Sequence, residues 1–165
     1  MKRGIPKMQA KKIYLAYGSN LNLAQMRHRC PDARLLGYTY LPNTRLVFRG
    51  SKTGSYLSIE PALEGEPRQV PCGVFAISKR DEQALDLYEG YPSFYYKQEY
   101  TDLPLYLLGH GTAQPHHFSG FAYQLPVDHP LGKPARWYMA TCREGYRNFG
   151  FDTAVLDQAL QDSDK

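Results

Sequence analysis

The sequence predicts an α+β fold: a small mixed, mostly antiparallel β-sheet that curls toward a barrel and is flanked by a few helices. Segments with strand-like patterning follow one another across short turns, as they do in hairpins. Few connections are long enough to hold a crossover helix, so most neighbouring strands should be antiparallel. The 165 residues, 42% of them hydrophobic, suffice for one domain with a buried core.

The first half of the chain predicts one helix among several strands. Residues 12–17 alternate as a strand. Asn20 or Asn22 can cap a helix that runs to about Arg29, before a proline stops it. Three further strands, joined by turns at Pro42-Asn43 and between Gly50 and Gly54, are predicted over residues 33–41, 45–49 and 56–62.

The second half predicts a strand and helix pair and then a mixture of both elements. Residues 70–77 are apolar enough for a central strand, provided that Pro71 lies at its start. Ser78 caps the following helix, with Asp81 at capping-box spacing, and Gly90 ends it. The predicted buried stripe of this helix is Ala84, Leu85, Leu87 and Tyr88. Two strands and then two helices follow, over residues 95–101, 118–124, 134–148 and 152–160.

Charge and hydropathy exclude several classes of protein. The net charge of +4 is modest, and basic residues cluster only near the start, so we expect residues 1–11 to form a flexible tail before a single domain over residues 12–165. No apolar run is long enough to span a membrane, and no signal peptide is expected. The fourteen tyrosines lack an accompanying nucleic-acid signature. We therefore predict a cytoplasmic protein that binds neither nucleic acid nor membrane.

The cysteines and histidines predict neither a disulfide framework nor a metal site. The three cysteines are Cys30, Cys72 and Cys142. They are odd in number and far apart, which fits buried thiols in a reducing compartment. His110, His116 and His117 lie in a Gly- and Pro-rich loop without the further ligands that a metal needs.

A short loop near the start of the chain is the first candidate for function. Tyr17-Gly18-Ser19-Asn20-Leu21 follows a predicted strand and precedes a predicted helix. Such a loop presents backbone N–H groups to an anion, and a carboxylate suits them as well as a phosphate does. The same residue types dominate ordinary turns, so this loop alone does not identify a site. No nucleotide-binding glycine motif and no G-x-S-x-G accompany it.

Glu89 is the second candidate, because it lies at the predicted C-terminal end of a helix. The negative end of the helix dipole opposes its charge and favours the protonated carboxyl group. The aromatic residues around it can exclude water and raise its pKa further. A solvated surface glutamate is the alternative interpretation. A carboxyl group tuned toward neutral pH beside an anion-binding loop suits proton-transfer chemistry.

Together, these segments resemble the γ-glutamylcyclotransferase-like family, which includes the AIG2-like proteins. Tyr14-Leu15-Ala16-Tyr17-Gly18-Ser19-Asn20-Leu21 resembles the signature loop of that family. Leu85-Asp86-Leu87-Tyr88-Glu89-Gly90 resembles the segment that bears its catalytic glutamate. Residues 70–79 and the segment that begins at Arg136-Trp137-Tyr138 are also similar, so the resemblance extends over nearly the whole chain.

The resemblance implies a small mixed β-barrel flanked by helices, and a reaction without cofactor or metal. The α-amine of an L-γ-glutamyl group attacks its own γ-carbonyl, which forms 5-oxoproline and releases an amine or amino acid. Carried over, residues 14–21 would bind the small-molecule substrate, Glu89 would carry the proton, and Tyr96 and Tyr138 would face the substrate. The resemblance leaves a monomer and a homodimer open.

Two departures from the family pattern concern the leaving group rather than the reaction. They are the bulky segment Tyr91-Pro92-Ser93-Phe94-Tyr95 and the histidine-rich loop. One alternative is therefore a cyclotransferase specialised for γ-glutamyl-amines or for a γ-glutamyl-protected biosynthetic intermediate. The other is a non-catalytic protein that binds a small molecule on the same fold.

Overall fold

The computed structural model describes residues 11–51, 54–108 and 116–164, so the predicted tail lies outside the described residues except for Lys11. The strands are β1 Lys12–Ala16, β2 Arg34–Pro42, β3 Thr44–Ser51, β4 Gly54–Pro61, β5 Gln69–Ile77, β6 Tyr96–Leu105 and β7 His116–Gln124. The helices are α1 Leu23–Arg29, α2 Lys79–Glu89, α3 Arg136–Phe149 and α4 Ala154–Asp162, and a 3₁₀ turn spans Ser19–Leu21. The predicted boundaries agree closely, except that β6 continues well beyond its predicted end.

The strands form one curled sheet and one separate hairpin. The five-stranded sheet has the order β2-β5-β1-β7-β6, and β3 pairs with β4 in a second sheet. The β1–β7 pair is parallel, whereas the other pairs are antiparallel. At one point the two edges of the curled sheet meet, where Tyr38 and Tyr106 exchange backbone hydrogen bonds of 2.9 Å. The predicted α+β fold with a mixed, curled sheet is thus confirmed.

One predicted neighbour relation is wrong. The turn at Pro42-Asn43 does not make a hairpin, because β2 pairs with β5 and β3 pairs with β4. Asn43 has a positive φ of 58°, a conformation that asparagine tolerates, and the chain passes there from one sheet to the other. β4 is therefore free to border a cavity, which its residues Tyr56 and Leu57 line.

Helix α2 has both predicted ends but not the predicted face. Ser78 and Asp81 form the reciprocal capping box, and Gly90 ends the helix in the left-handed conformation, with a φ of 67°. Leu85 is fully buried, as predicted, whereas Leu87 and Tyr88 are exposed. The helix thus uses a narrower core-facing stripe than the apolar pattern indicates, and its last turn leaves large apolar side chains uncovered.

Helix α3 supplies much of the core that supports the site. Tyr138, Cys142, Tyr146 and Phe149 recur at helical spacing and are buried. All three cysteines are free and buried, as expected from their spacing. Among the helices of the described residues, none has the length and hydropathy to cross a membrane.

Candidate active site

The loop after β1 is held against two helices. Asn22 caps α1, since its side chain accepts a hydrogen bond from the amide of Gln25 at 3.2 Å. Gly145 of α3 lies so close that a Cβ atom there would be 2.5 Å from the amide nitrogen of Asn22. Ser19 and Asn20 begin the 3₁₀ turn, where amide groups have no preceding helical carbonyl to reach. Within the described part of the chain, neither amide has a backbone acceptor.

Glu89, the last residue of α2, borders the same cavity as this loop. The cavity has a volume of about 290 Å³, and its lining includes Gly18, Ser19, Asn20 and Glu89. The Asn20 side-chain amide donates to the Glu89 carboxylate at 3.4 Å and to the Tyr14 hydroxyl at 2.8 Å. Residues almost seventy positions apart in sequence are thus neighbours at one site.

The surroundings of Glu89 disfavour its ionised form. Burial raises the pKa of Glu89 to about 8, against a smaller opposing effect of the Arg29 charge. The position at the C-terminal end of α2 acts in the same direction as burial, since the negative end of the helix dipole repels an anion. A carboxyl group in this state can accept and return a proton near neutral pH.

Arg29 fixes the orientation of the Asn20 side chain. Its guanidinium donates to the Asn20 side-chain oxygen, and its Cζ atom lies 3.4 Å from the centroid of the Tyr88 ring. The Tyr88 hydroxyl in turn lies 3.2 Å from the Ser19 hydroxyl. With its oxygen occupied by Arg29, the amide of Asn20 presents its N–H groups to Glu89 and Tyr14.

Three tyrosines bind the backbone of Leu57 on β4 at the cavity wall. The Tyr95 hydroxyl donates to the Leu57 carbonyl oxygen at 3.0 Å. The Tyr17 hydroxyl lies 3.2 Å from the same oxygen and closer to the Tyr123 carbonyl oxygen, so its one proton is shared between these two acceptors. The Leu57 amide donates to the Tyr138 hydroxyl at 3.1 Å. Burial raises the pKa of each of these three tyrosines well above its usual value. The second sheet is therefore fixed to the first sheet and to α3 beside Glu89.

The residues predicted to bind substrate divide into two groups. Tyr14, Tyr17, Gly18, Ser19, Asn20 and Tyr138 line the cavity with Glu89. Leu15, Ala16 and Leu21 are fully buried in the core and do not border it. Tyr96 also lies outside the lining: it is 37% exposed, and its hydroxyl accepts a hydrogen bond from the Gln124 side chain at 3.3 Å.

Several residues of the site were not predicted from the sequence. Tyr95 occupies the cavity wall that was predicted for Tyr96, because successive side chains point to opposite sides of extended chain. Nothing in the sequence distinguishes Arg29 from the other basic residues near the end of α1. Leu87, Tyr88 and Trp137 also line the cavity, whereas the sequence predicts Leu87 and Tyr88 to face the core and places Trp137 only in a segment similar to the family.

The histidine-rich loop differs in part from its prediction. His116 and His117 begin β7 instead of lying in a loop, and His110 is outside the described residues. The His117 imidazole lies 3.2 Å from the Asp102 carboxylate, and both side chains are exposed. Among the residues that the structure describes, no group of three or more His, Cys, Asp or Glu side chains is placed to hold a metal ion.

Several solved structures are similar to this chain in fold. A chain described as a gamma-glutamyl cyclotransferase aligns with a TM-score of 0.71 and 20% identity, over 90% of this chain and 86% of that chain. An uncharacterized protein from Homo sapiens aligns with the same TM-score and identity, over 91% and 86%. A gamma-glutamyl cyclotransferase specific to glutathione from yeast gives a TM-score of 0.54 at 11% identity, over 92% and 95%.

At these identities, the likeness to solved structures shows a common fold. A search of curated proteins found no match. The family model described as "Gamma-glutamyl cyclotransferase, AIG2-like" matches residues 14–135, which include both the Gly18–Asn20 loop and Glu89. The chain is therefore a member of the AIG2-like gamma-glutamyl cyclotransferase family.

Proposed function

We propose that this protein is a cofactor-free γ-glutamyl cyclotransferase in which Glu89 carries the proton. The observation that supports this most strongly is the position of Glu89. Its carboxyl group, with a pKa raised to about 8, borders one cavity with the Gly18–Asn20 loop. Family membership points to the same class of reaction.

In the proposed reaction the substrate supplies both reacting groups. The neutral α-amine attacks the γ-carbonyl carbon, and Glu89 takes the proton that this nitrogen loses. The C–N bond of the ring forms, the γ-amide C–N bond breaks, and Glu89 gives its proton to the leaving nitrogen. The products are 5-oxoproline and a free amine or amino acid, and the carboxylate is regenerated.

The loop and the cavity wall have separate roles in this proposal. The amides of Ser19 and Asn20 would bind the α-carboxylate and polarise the γ-carbonyl, since they lack backbone acceptors in the described residues. Tyr138 would border the substrate from α3. Tyr96 lies outside the cavity lining, so we assign the corresponding contact to Tyr95.

Two contributions to the rate are expected from a site with one proton-carrying side chain. Holding a tethered nucleophile and electrophile in reacting geometry contributes roughly 7–11 kcal/mol. General acid–base catalysis by one positioned carboxyl group contributes about 10²–10⁴-fold. Most of the rate enhancement in this proposal thus comes from holding the substrate in its reacting conformation.

The test is to measure 5-oxoproline after incubating the protein with γ-glutamyl-alanine, with γ-glutamyl-amines and with glutathione. Glu89→Gln should lower kcat/KM by about 10²–10⁴-fold, because the amide cannot accept the proton. Glu64→Gln, at an exposed glutamate outside the cavity, is the matched control and should retain activity. Activity that survives Glu89→Gln would remove this residue from the mechanism. Binding of γ-glutamyl compounds without any turnover would indicate a non-catalytic binding protein instead.

A further inference from the structure

The cavity has an apolar rim in addition to the polar site around Glu89. We use the term apolar rim for Tyr56, Leu87, Tyr88 and Trp137, which all border the cavity. Two of them lie on α2 next to Glu89, one on the first turn of α3, and one on β4. The chemistry proposed above uses none of these four side chains.

The apolar rim leaves two large hydrophobic side chains mostly exposed to solvent. Leu87 is 86% exposed and Trp137 is 61% exposed, although both are large hydrophobic side chains. Leu87 lies two residues before Glu89, whereas Leu85 one half-turn earlier packs fully into the core. Contiguous exposed apolar side chains typically mark a surface that contacts a ligand or partner.

Edge-to-face contacts connect two residues of the apolar rim, Trp137 and Tyr56, with Tyr138 and Phe94 in a continuous aromatic wall. The ring centroids of Trp137 and Tyr138 lie 5.8 Å apart, and those of Tyr138 and Tyr56 lie 5.1 Å apart. The ring centroids of Tyr56 and Phe94 lie 6.1 Å apart. Aromatic side chains that pack against one another present a large apolar contact surface with a fixed shape. This wall begins at the polar site and ends at the exposed Trp137.

The lining carries little charge with which to bind a second carboxylate. Among the described lining residues, Glu89 is the one carboxyl group and no lysine or arginine is present. A γ-glutamyl amino acid has a carboxylate on its leaving group, which loses hydration on binding and needs a cationic or hydrogen-bonding partner. The volume of about 290 Å³ is also at the small end of the ~300–1,000 Å³ that is usual for ligand sites.

We propose that the apolar rim binds the leaving group, and that the preferred substrates carry a small, uncharged aromatic group on the leaving nitrogen. Trp137 and Leu87 are then specificity-determining residues. This inference rests on the proposed function, since it assigns the side of the cavity from which the amine departs. A γ-glutamyl amino acid or a larger γ-glutamyl peptide is a poorer substrate at this site.

The test compares three substrates that differ only in the leaving group. They are γ-L-glutamyl-phenethylamide, γ-L-glutamyl-L-phenylalanine, which adds one carboxylate, and γ-L-glutamyl-ethylamide, which lacks the ring. We expect kcat/KM for the phenethylamide to exceed that for each of the other two by about tenfold or more. Trp137→Ala and Leu87→Ser should each lower the phenethylamide-to-ethylamide ratio by about three- to tenfold. Leu63→Ser, at an exposed leucine outside the cavity, is the control and should leave the ratio unchanged.

The outcomes separate this inference from the proposed function. Equal turnover of all three substrates, or a ratio that is insensitive to Trp137→Ala, would overturn the inference and leave the cyclotransferase activity standing. Preferential turnover of γ-glutamyl-phenylalanine would overturn it as well. The absence of 5-oxoproline from every γ-glutamyl compound would instead refute the proposed function. A change of oligomeric state in Leu87→Ser, with unchanged kinetics, would assign the rim to a protein interface.

Discussion

Glu82 and Glu89 lie at opposite ends of α2, and their surroundings move their acidity in opposite directions. Burial raises the pKa of Glu82, but hydrogen bonds from Lys97 and Lys12 outweigh it, so its pKa is lowered. The two ammonium groups lie 2.7 and 2.9 Å from its carboxylate. Burial raises the pKa of Glu89 to about 8, and Arg29 offsets only part of that effect.

The difference shows that neither residue type nor helical face sets the role of a carboxylate. The two glutamates are seven residues apart, about two helical turns, and so lie on nearly the same side of α2. Glu82 is near the positive end of the helix dipole and has two cationic partners, which makes it a structural anion. Glu89 is at the negative end and contacts the amide of Asn20 rather than a cation.

The largest expected difference between the two carboxylates is in the pH dependence of catalysis. Because the ionised form of Glu89 accepts the proton, kcat/KM should fall about tenfold for each pH unit below its pKa of about 8. The decrease amounts to roughly a thousandfold by about pH 5. Rates measured from about pH 5 to about pH 9, corrected for titration of the substrate amine, check this. A constant rate across that range would mean that Glu89 does not carry the proton.

The stability of the fold should depend on the two residues with opposite sign. The folded-state pKa of Glu89 lies above the ordinary value of 4.5, so its contribution to stability is complete below that pH and is lost as the pH rises toward about 8. The folded-state pKa of Glu82 lies below 4.5, so its contribution is present above that pH and is lost as the pH falls.

Urea unfolding at about pH 9 tests this opposition. Glu89→Gln should raise the free energy of unfolding by about 1–3 kcal/mol, because it removes a charge that the folded state disfavours. Glu82→Gln should lower it by about 1–2 kcal/mol, because it leaves Lys12 and Lys97 facing a neutral group. Destabilisation by both variants would show that Glu89 is better solvated than the structure indicates.

A smaller effect is expected when Arg29 is replaced. Arg29 is the cation whose charge lowers the pKa of Glu89, and the other titratable groups coupled to Glu89 are tyrosines: Tyr14, Tyr17, Tyr95, Tyr123 and Tyr138. Arg29→Gln should therefore move the acid limb of kcat/KM to higher pH by about one unit. Arg27→Gln, at an exposed position of the same helix, is the matched control. An acid limb that stays in place in Arg29→Gln would show that the charge of Arg29 does not influence the pKa of Glu89.

The smallest effect should come from the N-terminal end of α2, far from the chemistry. Ser78 accepts a hydrogen bond from the Asp81 amide at 3.1 Å, as the helix cap. Ser78→Ala should lower the free energy of unfolding by about 1 kcal/mol. Its kcat should equal that of the unmodified protein under conditions where both are folded. A loss of kcat would indicate that the cap positions Glu89 through the length of the helix.

Local signals in the sequence predicted most elements, and long-range pairing accounts for what they missed. The capping box of α2 and the glycine after Glu89 are short-range patterns, and both ends of that helix follow them. The partner of β3 is decided by competition between sheets, which turn residues at Pro42-Asn43 do not encode. The two candidate segments, the loop and Glu89, were predicted to be adjacent from resemblance rather than from spacing.

The details of the site depend on which face of an element meets the cavity. An apolar stripe on α2 indicates burial, but Leu87 and Tyr88 border a cavity instead of the core. Tyr95 and Tyr96 are equivalent in the sequence, and only the direction of the chain into β6 decides which one faces Leu57. Arg29 belongs to the site through its contacts with Asn20 and Tyr88, and the sequence alone does not show these contacts.

The attachment of Tyr17, Tyr95 and Tyr138 to the Leu57 backbone has a consequence for any titration of this protein. A free phenol is half ionised near pH 10, whereas these three remain protonated there because burial raises the pKa of each. Their hydroxyl hydrogens therefore stay in place throughout the interval in which the nearby acid changes charge. Titration of these three hydroxyls would therefore make no contribution to a pH profile measured in that interval.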